Sequence, residues 1–250
     1  MRSYLPAKLT LSILIAQFCL SITANLSVSA MEMTSSSQAI NQNVVMTKGC
    51  DDGSAFIGKM ISKASALNNY SCDYKMVVHK QGVVTESGTL YFRKPHLMRV
   101  QVTSGSKKGA LAILAGDGRV HGHLGGLLKY FSGAVPTDSN FALALNGYPL
   151  AGTDFYSLAK YLKEEMLDKG DRSLVSQQPI QTANTDAPTY VLDMIRKVDG
   201  KDRLIKRIYV DPQTLIPIYW EDYEQGKLWS QSSWSAMKIN QSLPDRLFAP

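Results

Sequence analysis

The sequence is short of most features that announce a chemistry. It has no G-x-S-x-G elbow, no H-E-x-x-H helix and no phosphate loop, and Gly116, Gly118, Gly122, Gly125 and Gly126 do not form a dinucleotide fingerprint. Ser104 with Lys107 and Ser235 with Lys238 match S-x-x-K spacing, but the partner motifs of serine acyl-enzymes are missing and neither serine clearly opens a helix. Glu164 and Glu165 are adjacent on a helical pattern, so they diverge by about 100° and cannot face one substrate as acid and base. A solvated helix face is the expectation for both. The chain therefore reads as non-enzymatic, with no catalytic residue and no cofactor.

Metal and nucleic-acid signals are equally thin. His121 and His123 fall on one face of a strand pattern and offer half of a zinc site, but no Cys, Asp or Glu lies near them at ligand spacing. No metal site is expected, and the histidines should face solvent beside a hairpin. Lys and Arg are dispersed over a chain of formal charge +6, with no basic stripe interleaved with aromatics, so no nucleic acid is expected as partner. The mild excess favours anionic surfaces, including transient contact with a membrane surface. Beyond residue 30 no segment approaches the roughly 20 consecutive apolar residues of a membrane-spanning helix.

Residues 1–30 have the pattern of a cleaved signal peptide. Arg2 and Lys8 make a basic start, Leu9 to Leu20 is an apolar run, and Val28-Ser29-Ala30 is a small-residue cleavage site. Cys19 follows Phe18 rather than a small residue, which argues against a lipid-anchored product. Removing Arg2 and Lys8 lowers the charge by two, and the chain is expected in the periplasm. Residues 31–49, rich in Ser, Thr, Asn and Gln, should form a flexible arm, and residues 50–250 a single domain. Cysteine is scarce: of three, only Cys50 and Cys72 remain after cleavage. In an oxidising compartment they either form a disulfide or leave Cys72 buried and Cys50 loose, and the sequence leaves both open.

What is present is strand alternation. Tyr70, Cys72, Tyr74, Met76 and Val78 alternate with mostly polar residues; Val83 to Arg93 and Leu97 to Val102 follow as further strands, with Gly88 marking a bulge and Pro95 ending a pairing. Gly116-Asp117-Gly118 joins Ala110–Ala115 to Arg119–His123 as a hairpin. From Ser173 the pattern returns through Tyr190–Lys197, Arg203–Val210, Leu215–Tyr223 and Lys227–Ile239. Before the first strand, Phe56, Ile57, Met60, Ile61, Ala64 and Leu67 recur at helical spacing behind a cap at Asp51, Asp52 or Ser54. Between the two strand sets, residues 124–168 lose period two. They carry a short helical pattern at Ser139–Asn146 and a longer one capped by Asp154, with Phe155, Leu158, Leu162, Glu165 and Met166 on its stripe. Strands, helices and strands again predict an α+β fold: a curved antiparallel sheet forming an incomplete, half-open β-barrel with helices over its concave face and a helical lid at about 124–168.

Four segments resemble the periplasmic lipoprotein-localisation carriers of the LolA/LolB class. They are Leu67-Asn68-Asn69-Tyr70 at the end of the amphipathic helix, Ser87 to Pro95, Val210 to Pro217, and Leu243-Pro244-Asp245-Arg246-Leu247-Phe248. The middle section, with Gly125-Gly126, Pro149 and Gly152, looks like an uncharacterised bacterial branch of that superfamily. The resemblance implies an acyl-chain lipid or a lipoprotein held between sheet and helices, with an arginine before the strand-ending proline bonding the lid. Lys94 occupies that position here, and a flexible ammonium should lock the lid less firmly than a guanidinium. Arg93 faces the other side of the sheet by alternation.

The candidate ligand surface is the apolar row Tyr74, Met76, Leu90, Phe92, Met98, Val100, Leu192, Met194, Ile218, Trp220 and Trp234. An open cavity and an ordinary collapsed core give the same alternation. A sensor domain that recognises an envelope protein with the same fold is the competing function.

Overall fold

The computed structural model describes residues 50–130 and 132–250. The expected signal peptide and arm, residues 1–49, lie outside the described residues.

One twelve-stranded antiparallel sheet carries the fold. Strands β2 (Asn69–His79), β3 (Val83–Arg93), β4 (Leu97–Gly105), β5 (Leu111–Leu114), β6 (Arg119–His123) and β7 (Ser132–Pro136) form one meander. Strands β8 (Arg172–Ser176), β9 (Tyr190–Val198), β10 (Lys201–Val210), β11 (Pro217–Glu224) and β12 (Lys227–Ile239) form a second. Pairing of β12 with β2, Trp234 opposite Tyr74, joins the two meanders, and the short β1 (Cys50–Asp52) adds to β8 at the far edge. No pairing joins β1 to β7 among the described residues, so the barrel is incomplete. The α+β half-barrel read from the strand pattern is the architecture observed.

Gly88 bends the first meander. The β3–β4 register shifts between Ser87 and Gly88, and a Cβ built on Gly88 would stand 2.0 Å from the Gln101 carbonyl oxygen. Any side chain there would push β4 off its partner.

Two helices lie on the concave face. Helix α1 (Gly53–Ser65) is capped by Asp52, whose Oδ1 accepts from Ser54 N at 2.9 Å, and it buries Phe56, Ile57, Met60 and Ala64. A Cβ on Gly53 would lie 2.6 Å from Leu192 Cδ1 and 2.8 Å from Ser173 Oγ, so any larger residue there would displace both side chains. Helix α2 (Phe155–Lys169) is capped by Asp154 through Tyr156 N and Ser157 N, and it buries Phe155, Leu158, Ala159, Leu162 and Glu165. The Tyr70 hydroxyl accepts from Phe155 N at 3.2 Å, satisfying one of the free amides at the start of α2. The Tyr70 ring lies 5.0 Å from Phe92 and 4.7 Å from Phe155, which in turn meets Trp234 edge-on at 5.5 Å.

The segment before α2 is less helical than its sequence suggests. Ser132–Pro136 is a strand, paired to β6, although 124–168 carries no period of two. Ser139–Asn146 holds only a 3-10 turn, Asn140–Ala142, after which Leu143 bridges to Pro149. So short a run has no neighbouring turns to share the cost of helix nucleation, and the chain folds back on itself instead.

Candidate binding cavity

The concave face is divided. Beneath α1 and α2 it is solid, with Leu192, Met194, Ile208, Val210, Leu162 and Ile57 wholly or almost wholly buried. Beyond the end of α2, over β3 to β7, the cover thins to the turns at 141–150 and leaves a cavity of about 240 Å³. Tyr74, Met76, Leu90, Val100 and Val102 form its floor, with Ala112, Val120 and Val135 from the later strands. Trp220 and Trp234 close one side; Ala142, Leu143, Leu145, Leu150 and Leu158 close the top. The volume is a little below the roughly 300 Å³ at which drug-sized pockets begin, and the lining is mainly apolar.

Six of the eleven candidate ligand residues line this space: Tyr74, Met76, Leu90, Val100, Trp220 and Trp234. Phe92, Met98, Leu192 and Met194 share their face but lie in the solid half, buried beneath the helices and the Thr153 turn. Ile218 belongs to neither. The β10–β11 register slips between Tyr209 and Val210, which pair with Tyr219 and Pro217, so Ile218 is the extra residue of a bulge and loses the alternation that would aim it inward. Ile216, on the other side of the bulge, joins the core instead.

The polar groups of the cavity were not among those candidates. Glu86 sits on the inward face of β3, one alternation before Gly88, and is only 6 % exposed. Tyr74 donates its hydroxyl to Glu86 Oε1 at 3.0 Å, while Oε2 is buried without a partner. Burial first, then the neighbouring carboxylate, raises the Tyr74 phenol well above its ordinary value, so it remains a donor throughout the physiological range. Asn146 donates to Ser232 Oγ at 3.4 Å on the Trp220 side. The signal for Glu86 was present in the sequence as a carboxylate on an otherwise apolar row.

A second polar group holds α2. Lys206, on the inward face of β10, lies 3.2 Å from Asp222 and 3.3 Å from Glu165 Oε2, and donates to Tyr148 Oη at 3.1 Å. Asp222 also accepts from Trp220 Nε1 at 3.0 Å and from Ser230 Oγ at 2.8 Å. Glu165 Oε1 accepts from Tyr161 at 3.1 Å and Lys169 at 2.9 Å. Burial alone would lower the Lys206 pKa, but Asp222, Tyr148 and Glu165 outweigh it and raise it well above the usual lysine value. For Glu165 burial acts upward, and Lys206 and Lys169 overcome it, leaving the carboxyl below its ordinary range. Glu165 is thus not on a solvated face; its position on the apolar stripe of α2 outweighs its charge because a buried cation meets it.

Lys94 does not reach α2. Its ammonium donates to the Ser65 carbonyl at 2.5 Å, closing the C-terminal end of α1. Glu165 fastens α2 to the sheet, through Lys206 at 3.3 Å and Arg196 at 3.5 Å. Arg93 does face the other side, where it pairs with Asp245 at 2.5 Å and lies 4.8 Å from the Phe248 ring, so two of the four family-like segments meet on the convex face.

Cys72 is a free thiol buried in the core; burial first, then Asp73, pushes it up to about 12. Of the two alternatives for Cys72, the buried free thiol is the one observed. His121 and His123 border the cavity rather than facing open solvent, and a carboxylate does stand near: His121 Nε2 lies 2.7 Å from Asp117 Oδ2 across the hairpin turn. Among the described residues no group of three or more His, Cys, Asp or Glu is gathered to hold a metal ion. Ser104 lies in β4 and Ser235 in β12, both exposed and neither on a helix.

No protein-family model and no curated protein matches the sequence. Among solved structures, an uncharacterised conserved protein from Thermus thermophilus is 9% identical with a TM-score of 0.48, the alignment covering 79% of this chain and 94% of that one. A LolA superfamily protein from Nitrosomonas europaea is 12% identical with a TM-score of 0.39, covering 78% and 97%. The Pseudomonas aeruginosa MucA/MucB complex is 13% identical with a TM-score of 0.44, covering 79% of this chain and 61% of that one. At these identities none of the neighbours' properties passes to this chain, and the half-barrel rests on its own strand pairing.

Proposed function

We propose that this chain is a non-enzymatic, exported envelope protein that takes a single apolar chain, from a lipid or a lipoprotein, into the space between β3–β7 and the turns at 141–150. One observation carries the reading: the concave face stays unfilled where the helical cover ends, and its walls are aliphatic and aromatic. Interiors otherwise pack to the density of organic crystals, so a lined void of this size has the form of a place for a guest. Each methylene withdrawn from water contributes about 0.8 kcal/mol. The limited volume favours one chain over several. Export rests on the basic start, apolar run and cleavage pattern of residues 1–30.

A protein partner is the second reading, and it draws on the rim. Phe141 and Tyr130 are 75 % and 78 % exposed, and Leu124 is 43 % exposed, an amount of apolar surface that a partner could cover. Native mass spectrometry of protein purified from its own envelope, followed by lipid extraction, separates the two. A co-purifying acyl chain supports carriage; a stoichiometric protein and no lipid would replace it with recognition.

A further inference from the structure

The wall of the cavity contains an incomplete anion. Glu86 is more than nine-tenths buried on the inward face of β3, between the β2 face carrying Tyr74 and Met76 and the β4 hairpin. Its Oε1 is held by the Tyr74 hydroxyl, and among the described residues nothing donates to Oε2. A buried carboxylate oxygen without a donor is costly, and a carboxylate without a nearby cation more so. The other formal charge on the cavity lining is Lys107, which is exposed in the turn after β4, and among the described residues no ion pair joins it to Glu86. His121 and His123 border the opposite side, where His121 is engaged by Asp117. The fold therefore supplies Tyr74 to orient the carboxylate and no residue to complete it.

We propose that Glu86, positioned by Tyr74, is the polar anchor of the cavity and selects amphiphiles whose head is a hydrogen-bond donor, a protonated amine above all. This rests on the apolar-chain reading above and adds a head-group preference to it. An ammonium supplies both the missing donor and the missing charge. A hydroxyl supplies only the donor. A carboxylate head supplies neither and meets Glu86 as a like charge, so a free fatty acid is the poorest of the three despite an identical tail.

The test is a titration of the full exported protein at neutral pH with decylamine, decanol and decanoate, each kept below its aggregation threshold. Binding is followed by the emission of Trp220 and Trp234, which line the cavity, and checked by displacement of a fluorescent acyl probe. Wild type should bind decylamine about tenfold more tightly than decanol, the size of one charge-assisted hydrogen bond, with decanoate weakest. In Glu86→Gln, which keeps an acceptor for Tyr74, the amine and alcohol should bind within about twofold of each other. Equal binding of all three by wild type, or an order unchanged in Glu86→Gln, would overturn the head-group inference and leave the apolar-chain reading standing. Binding of none of the three would overturn both.

Discussion

Two halves of one concave surface have the same alternation and opposite fillings. Under α1 and α2, Leu192, Met194, Ile208 and Val210 meet long helical stripes led by Ile57, Met60 and Leu162, and all of these side chains are buried. Over β3 to β7, Leu90, Val100, Ala112 and Val120 meet two 3-10 turns, a tight reversal at 144–148 and the first turn of α2 at Leu158, and a cavity remains. The strands do not decide which half is hollow. The length of what covers them does, because a stripe of several turns fills the curve of the sheet and a three-residue turn cannot.

The largest effect that can break this comparison is a matched pair of truncations. Leu162→Ala in the solid half should cost about 4–5 kcal/mol in urea unfolding, whereas Leu90→Ala beside the existing void should cost about 2 kcal/mol, since little new cavity is made. Equal costs would mean the two halves are packed alike. Phe92→Asp, at a residue of the candidate ligand surface, should unfold the protein, because Phe92 is stacked on Tyr70 in the solid half.

Next comes the fastening of α2. Lys206→Met removes the buried cation between Glu165 and Asp222, leaves Asp222 with neutral donors alone and Glu165 with Lys169 and Arg196, and should destabilise by about 3 kcal/mol. The same pair gives a pH dependence with a definite sign. Glu165 titrates below the ordinary glutamate value of 4.5, so its contribution is complete above that value and is lost as pH falls through the lowered one. Lys206 is raised above 10.5, so its contribution is complete below that value and is lost only as pH rises through the raised one. Glu221, on the convex face, acts oppositely: burial raises its pKa against Tyr223 and Arg207, and acid relieves it. Stability should be flat through neutral pH, and Glu165→Gln should reduce the acid-side loss measured by thermal unfolding.

How much of this was legible in the sequence follows from which signals are local. Period two, a cap among Asp51, Asp52 and Ser54, and the cap at Asp154 made the fold legible, since each is written in adjacent residues. The bulge that displaces Ile218 depends on how β10 pairs with β11, and the split of the apolar row depends on a cover distant in sequence; neither is readable from one strand. β7 was missed because Ser132-Gly133-Ala134-Val135-Pro136 has almost no apolar alternation and is a strand only because β6 pairs with it. Glu86, Glu165, Lys206 and Asp222 were visible as charges on apolar faces. Only their partners show what they are for.

Smaller effects sharpen the boundary between the halves. Ala112→Phe, which directs a ring into the cavity, should weaken binding of a fluorescent acyl probe by about tenfold while changing unfolding free energy by about 1 kcal/mol or less. The smallest concerns Lys94. Because it closes α1, Lys94→Arg should alter hydrogen exchange in the last turn of α1 by no more than about 1 kcal/mol and leave α2 unchanged.

The division itself is tested most directly by methyl NMR of the protein with a bound decyl chain. Intermolecular contacts are expected from the chain to the methyls of Leu90, Val100, Ala112, Val120 and Leu158, and none to Leu192, Ile208 or Val210. Contacts in the half beneath α1 and α2, with the methyls over β3 to β7 silent, would contradict it.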